Sequence, residues 1–295
     1  SWGSKHPETT PDSLPTPFGC LCLWDESSGE CLDVIKVNSS PVEGILLLAD
    51  GRILSWSRPD FRTRILLRAD PSSPIGKMML DAGTTAAFGL RVWDERAGES
   101  PLTLKGHTAQ IRGAVELASG DVLSWSEDCS LRIWDTKVGV CRLVLEGHTK
   151  PVIGGLLMAD GSLLSWSEDN TLRIWDASNG SELITLTGHT GPVNGAIALS
   201  AGRVLSWSED TTLRIWDSET GALLTSLQGH TSPVRGARLL SDGCVVSWSE
   251  DSQPSLWRLE SEAHNSEIVD RLELAQDPGC PIVSRSLATF RPRFG

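Results

Sequence analysis

The sequence predicts an all-β chain of small four-stranded antiparallel sheets stacked radially. Three observations predict it. First, the stretch LSWSEDNTLRIWD at Leu164–Asp176 returns as LSWSEDCSLRIWD at Leu123–Asp135 and as LSWSEDTTLRIWD at Leu205–Asp217, with a frayed copy, VSWSEDSQPSLWR, at Val246–Arg258. Second, the anchors keep one register. Gly-His pairs end at His107, His148, His189 and His230. Ser-Trp-Ser segments centre on Trp125, Trp166, Trp207 and Trp248, and strand-ending residues are Trp93, Trp134, Trp175, Trp216 and Trp257, all in steps of 41. Third, each copy reads as an alternating strand, an acidic turn and a second alternating strand ending on Trp, the period-two pattern of β structure.

One unit shows the elements in order. After His148, PVIGGLLMAD is a short apolar run suited to an inner strand buried on both faces. Asp160-Gly161 marks a tight turn. Leu163–Ser167 is the second strand, Glu168-Asp169-Asn170 the next turn and Leu172–Trp175 the third strand. The segment ASNG at Ala177–Gly180 turns the chain again, and Leu183–Leu186 is the fourth strand. Such a sheet is too small to stand alone. Stacked radially, sheets of this kind bury both faces against neighbours, which gives a β-propeller of four-stranded antiparallel blades.

These anchors identify a resemblance. Gly-His near the start, Trp-Asp near the end and a 41-residue step make the units similar to WD40 repeats. The resemblance runs from about Gly19 to Arg258, and the near-identity of the copies resembles the self-similar WD40 arrays of bacteria. It implies a propeller that displays its top face to other molecules.

Taken along the chain, the start reads as a truncated unit. Ser1-Trp2 matches a second strand, the Pro-rich residues 3–18 a loop, Gly19–Asp25 a third strand and Cys31–Val37 a fourth. Pro41–Ser57 opens the next unit, with Val37-Asn38 where Gly-His is expected. The distance from Trp56 to Trp93 is 37 residues, against 9 from Trp125 to Trp134, so 28 residues are inserted within Arg58–Ala87. Both long loops, 3–18 and 58–87, are expected on one face. Three regular units follow. The unit after His230 decays: Pro254 enters its third strand, Arg258 replaces the Asp, and SEAHNSEIVDRLELAQ replaces the compact turn and fourth strand. Residues 259–295 read as an irregular tail in which Pro281–Phe290 offers a further inner strand. Six blades are thus visible in one domain spanning 1–295. The lone strand either closes a six-bladed ring or belongs to a seven-bladed one whose missing piece lies outside the chain. The opening on Ser1-Trp2 is expected of a fragment of a longer, multidomain protein.

Composition narrows the partners. The chain has 295 residues and a formal charge of −12, which argues against nucleic acid, since phosphate binding needs clustered Lys and Arg. No apolar run reaches the ~18 residues of a membrane helix, and the first residues do not form a signal peptide. Seven Cys without a regular framework fit a reducing, cytoplasmic compartment. Twelve Trp and no Tyr follow from copying a two-Trp unit.

The residues that look chemical recur with the period. By resemblance, the His, the turn Asp, a second-strand Ser and the third-strand Trp of each unit form an internal hydrogen-bonded set: His107, Asp128 and Trp134; His148, Asp169 and Trp175; His189, Asp210 and Trp216; His230, Asp251 and Trp257. The Ser is one of the pair flanking the second-strand Trp, such as Ser165 or Ser167. Four copies argue for structure rather than catalysis, and no G-x-S-x-G, P-loop or H-E-x-x-H motif is present. No enzyme activity, metal or cofactor is expected. The second-strand Trp residues are read as packing between blades rather than as a ligand cage.

Glu127, Glu168, Glu209 and Glu250 form either an acidic ring for basic peptides or a cation, or a solvated turn copied with its repeat. The units differ most at Gln110, Lys150, Gly191 and Ser232, and at Arg112, Ile153, Asn194 and Arg235. By resemblance, Gln110, the second of these sets and the four Glu are partner-contact positions, although drift at exposed sites gives the same variation. The expected function is a non-catalytic scaffold or sensor binding a protein or peptide. The alternative is a small-ligand or carbohydrate-binding propeller that stacks sugar on exposed Trp.

Overall fold

The computed structural model describes residues 19–24, 31–37, 42–57, 88–94, 102–241, 243–251, 254–258 and 272–273. They contain strands and turns and no helix. The long loops at 3–18 and 58–87, the strand read at 281–290 and nearly all of the tail lie outside the described residues.

The strands form one two-stranded and five four-stranded sheets, each strand antiparallel to its neighbour wherever the register is defined. β1 (Gly19–Trp24) pairs with β2 (Cys31–Val37). The first full sheet runs β3 (Val42–Leu47), β4 (Ile53–Ser57), β5 (Leu90–Trp93) and β6 (Leu102–Leu104). The second runs β7 (Ile111–Glu116), β8 (Val122–Ser126), β9 (Ser130–Asp135) and β10 (Val140–Glu146). The third is β11 (Val152–Leu157), β12 (Leu163–Ser167), β13 (Thr171–Trp175) and β14 (Glu182–Thr187). The fourth is β15 (Val193–Leu199), β16 (Arg203–Ser208), β17 (Leu213–Asp217) and β18 (Leu223–Leu227). The fifth is β19 (Val234–Leu239), β20 (Cys244–Ser249), β21 (Ser255–Arg258) and β22 (Leu272–Glu273). Consecutive strands are always neighbours in these sheets, which is the strand order of a propeller blade.

Three readings are corrected here. The fifth sheet keeps a fourth strand: Leu272 and Glu273 pair with Leu256 and Ser255, inside the segment read as a replacement for it. Pro254 stays just outside β21, where its missing N–H costs no ladder bond. The inner strand β11 is not buried throughout: Val152, Gly154 and Gly155 are buried, but Ile153, Leu156 and Leu157 are half-exposed.

The chain divides into two compact units, Ser1–Val193 with Ser218–Gly221, and Asn194–Asp217 with Ala222–Gly295. In the first unit, sheets stack face to face. Leu54, Trp56, Leu90 and Leu104 of one sheet pack with Ile111, Val122 and Trp134 of the next. Leu123, Leu131 and Ile133 then pack with Val152, Leu163 and Trp175 of the third. In the second unit, Leu205, Leu213 and Ile215 pack in the same way with Val234, Val245 and Trp257. Each seam buries aliphatic faces that one twisted sheet cannot cover by itself.

Turn chemistry sets the strand ends. Gly161 follows Asp160 with φ of 88°, a left-handed position that glycine adopts without a Cβ penalty. At the acidic turns the same region is occupied by Cys129 (φ 68°), Asn170 (71°) and Thr211 (71°).

Candidate functional site

The Ser-Trp-Ser strand places its three side chains on two faces. In β12, Ser165 and Ser167 are buried on the side facing the His, while Trp166 points the other way. The set predicted from the repeat forms as follows. His148 Nδ1 lies 2.8 Å from Asp169 Oδ2, and Nε2 lies 2.8 Å from Ser165 Oγ. Trp175 Nε1 donates to the same Ser165 Oγ at 2.8 Å. Because the indole donates into Ser165, the serine hydroxyl directs its own proton to Nε2, and Nδ1–H donates to Asp169. Asp169 further accepts from Thr149 N (3.0 Å), Thr171 N (3.0 Å) and Thr171 Oγ1 (2.6 Å).

Two other sheets repeat this set in full. His107 meets Asp128 and Ser124 at 2.8 Å each, and Trp134 donates to Ser124 at 2.8 Å. His230 meets Asp251 at 3.1 Å and Ser247 at 2.7 Å, and Trp257 donates to Ser247 at 2.8 Å. In the fourth sheet Trp216 donates to Ser206 at 2.8 Å, and Asp210 accepts from Thr212. His189 belongs to the first unit and is buried there. The first full sheet, whose chain has no Gly-His pair, keeps only the Trp93 to Ser55 bond, at 2.9 Å.

The two serines divide the work. The one before Trp joins His to indole. The one after Trp bridges backbone: Ser167 donates to Lys150 O and Pro151 O, and accepts from Asp169 N.

Electrostatics agree with a neutral imidazole over an ionised carboxylate. Burial pushes His107 below its ordinary pKa, and the Asp128 hydrogen bond opposes this only in part. Burial also works against ionisation of Asp128, but bonds from His107, Ser130 and Thr108 N–H outweigh it and hold the carboxyl well below the usual range. Asp169 is depressed in the same balance by His148, Thr171 and Thr149. Every polar atom of these sets has a partner, so they brace the acidic turn against the sheet.

Two further contacts were not read from the sequence. Each second-strand Trp lies across a glycine of the first strand. An ideal Cβ on Gly44, Gly113, Gly154, Gly195 or Gly236 would sit 2.0–2.4 Å from Cζ2 of Trp56, Trp125, Trp166, Trp207 or Trp248. These Trp therefore pack in place, each using the glycine as its floor. The signal was present as a glycine 12 residues before every such Trp. Likewise Gly147 of a Gly-His pair leaves room for Arg173 Nη1, which a Cβ would meet at 2.6 Å.

The variable positions and the four Glu fall on the edge that carries the acidic turns. In the first unit Glu127 N donates to Gln110 O at 2.9 Å, and Gln110 Nε2 reaches Glu43 of the preceding sheet at 2.7 Å. Arg112 lies 2.8 Å from Glu127 of its own sheet and 3.8 Å from Glu168 of the next. In the second unit Arg235 bonds Glu250 at 2.6 Å and Glu209 of the neighbouring sheet at 3.4 Å. All four Glu, read either as an acidic ring or as a solvated turn copied with the repeat, are thus engaged by arginine. Asn194 is only partly exposed and donates to Val234 O at 2.9 Å, and Ile153 is half-buried. Arg112 and Arg235 remain exposed, with 41% and 43% of their side chains accessible.

Among the described residues, no group of three or more His, Cys, Asp or Glu stands close enough to hold a metal ion.

Comparison with known proteins agrees with this geometry. The family described as WD40, "WD domain, G-beta repeat", matches residues 98–135, 139–176 and 180–217. Each match starts before a fourth strand and ends at or one residue past the end of the next sheet's third, so the sequence repeat and the sheet are offset by one strand. Repeats of this family generally mediate protein interactions and are typically not enzymes. No curated protein matches the chain. The crystal structure of the computationally designed Ika8 protein is similar in fold, with a TM-score of 0.62 and 23% identity over 83% of this chain and 69% of that one. Residues 98–217 are therefore three consecutive WD40 repeats, and the antiparallel sheets they run through have the strand order of β-propeller blades.

Proposed function

We propose that the chain is a non-catalytic interaction module, a scaffold or sensor, that offers the acidic-turn edge of its blades to a protein or peptide. The observation that carries this reading is the pair of exposed guanidiniums, Arg112 and Arg235, each held between carboxylates of two adjacent sheets. A charged group already fixed in position loses little entropy when a partner binds. It also sits where otherwise near-identical repeats differ, on turns braced by buried polar sets. A formal charge of −12 supports a protein rather than nucleic acid as the partner. The reading includes a cytoplasmic setting and a place in a larger protein.

The test is cross-linked capture with the wild-type chain, an Arg112→Glu/Arg235→Glu variant and a Lys137→Glu/Asn179→Lys variant at the opposite turns. The first variant should lose the captured protein and the second keep it. Loss only with the second variant, or with neither, would overturn the assignment of the binding edge.

A further inference from the structure

We propose that two copies of this chain pair along β10, the exposed fourth strand of the second full sheet. Among the described residues β10 pairs with β9 alone and stands at the edge of its sheet. A strand edge of this kind presents unpaired N–H and C=O groups, a template for another strand.

β10 differs from its counterparts in how openly it is displayed. Its outward residues Val140, Arg142, Val144 and Glu146 are all exposed, along the whole length of the strand. In β18 only the first two residues are exposed, and in β14 the first two and the last are, with three covered positions between them. Aliphatic side chains surround β10 on the same unit. Val138 in the turn before it is 67% exposed, and Leu102 of β6 lies against Gly139 of that turn. Leu183 of β14 is exposed as well. Isolated exposed aliphatics are ordinary, but a group flanking a free strand edge marks an interaction surface.

The occupant follows from the order of charges. The exposed face reads Val140, Arg142, Val144, Glu146. Laid antiparallel against itself about Val144, it sets Val144 against its own copy. Arg142 then faces Glu146 of the copy, and Glu146 faces the copy's Arg142. Two opposite-charge pairs and one apolar pair thus form across a two-fold axis, as an isologous dimer requires. Arg142 is half-exposed while it contacts Asp135 at 2.6 Å and Asp121 at 3.4 Å, so its guanidinium has further donors to offer. Leu143 would lie opposite Leu145 on the inner face. β10 also carries a register irregularity between Cys141 and Leu143. Arg142 is the extra residue of that irregularity, so backbone pairing spans Leu143–Leu145, and the Arg142–Glu146 contacts are made by side chains at its two ends.

The experiment is sedimentation velocity of the full 295-residue chain over a concentration series, with far-UV circular dichroism confirming the fold of each variant. Wild type should show a concentration-dependent dimer. Glu146→Lys and Arg142→Glu should each weaken it about tenfold, because like charges then meet across the axis. The Arg142→Glu/Glu146→Lys double variant should restore dimerisation, since the pairs form again with reversed sign. Glu43→Lys on β3 is the control and should leave it unchanged. A monomer at all concentrations overturns the proposal. So does a dimer that ignores the single substitutions, or one that the double variant fails to restore.

Discussion

Replacing Gly154 by alanine tests the packing that holds each blade together. An ideal Cβ at Gly154 would sit 2.1 Å from Cζ2 and 2.3 Å from Cε2 of Trp166, its cross-strand partner. Carbon atoms pack at about 3.5–4.0 Å, so the indole must move by more than ~1 Å. Trp166 is held on a strand paired on both sides, and its Nε1 is buried, so the ring cannot swing away freely. Overpacking typically costs about 1–3 kcal/mol. A displacement this large, against a rigid ring, belongs at the top of that range, and we expect about 3 kcal/mol. Urea unfolding followed by Trp fluorescence and circular dichroism measures it. Two neighbours calibrate the result. A Cβ on Gly155 would lie 3.2 Å from the end of Leu131, a flexible side chain, so Gly155→Ala should cost less than about 1 kcal/mol. Gly161 has open space but φ of 88°, so Gly161→Ala should cost about 1 kcal/mol through backbone strain alone. The double variant Gly154→Ala/Trp166→Val should be less destabilised than the sum of its parts, because removing the ring removes the clash. If Gly154→Ala lies within about 0.5 kcal/mol of wild type, the glycine is not a required floor for the indole and the reasoning fails.

Three further outcomes follow from the same structure. Ser165→Ala should cost more than Thr171→Ala, about 2–3 kcal/mol by urea titration, because it strands both His148 Nε2 and Trp175 Nε1 in a buried site; equal losses would contradict the bridging role. Stability should be greatest above about pH 6.5, the ordinary value of His. His107 has a lowered folded pKa, so the unfolded state binds more protons as pH falls below that point; Asp128 and Asp169, also depressed, add a second loss as pH falls below about 4. Urea midpoints at pH 7.5, 5.5 and 4.0 should therefore decrease in order, and a flat profile would refute the charge states assigned here. Thr211, a β-branched residue at φ of 71°, should be improved by Thr211→Gly or Thr211→Asn, raising stability by up to about 1 kcal/mol; a thermal midpoint that does not rise would show that the turn tolerates the strain.

Much of the fold was legible because each blade is written locally and copied. β12 and β2 lie where the reading placed them, and β13 and β14 differ from it by a residue at their ends. The polar sets were legible for the same reason: His148, Asp169 and Trp175 keep one spacing in each copy, and a buried His and carboxylate need partners. Which serine completes each set was not legible. Ser165 and Ser167 share a face, and the approach of His148 and Trp175 to Ser165 distinguishes them. The candidate binding edge was half legible. Variation among copies pointed to Arg112 and Arg235, but their carboxylate partners sit 15 to 56 residues away along the chain.

Strand order, turn positions and the buried His sets follow from period and residue type, since neighbours along a strand alternate faces whatever surrounds them. Contacts between strands obey no such count. The glycine floor beneath Trp166 and the survival of Leu272–Glu273 as a fourth strand are set where strands pair, and the reach of Arg52 to Thr136 of the next sheet at 2.6 Å is set where sheets meet. There the distance between backbones, and not the spacing in the chain, decides which side chains fit and which atoms find a partner.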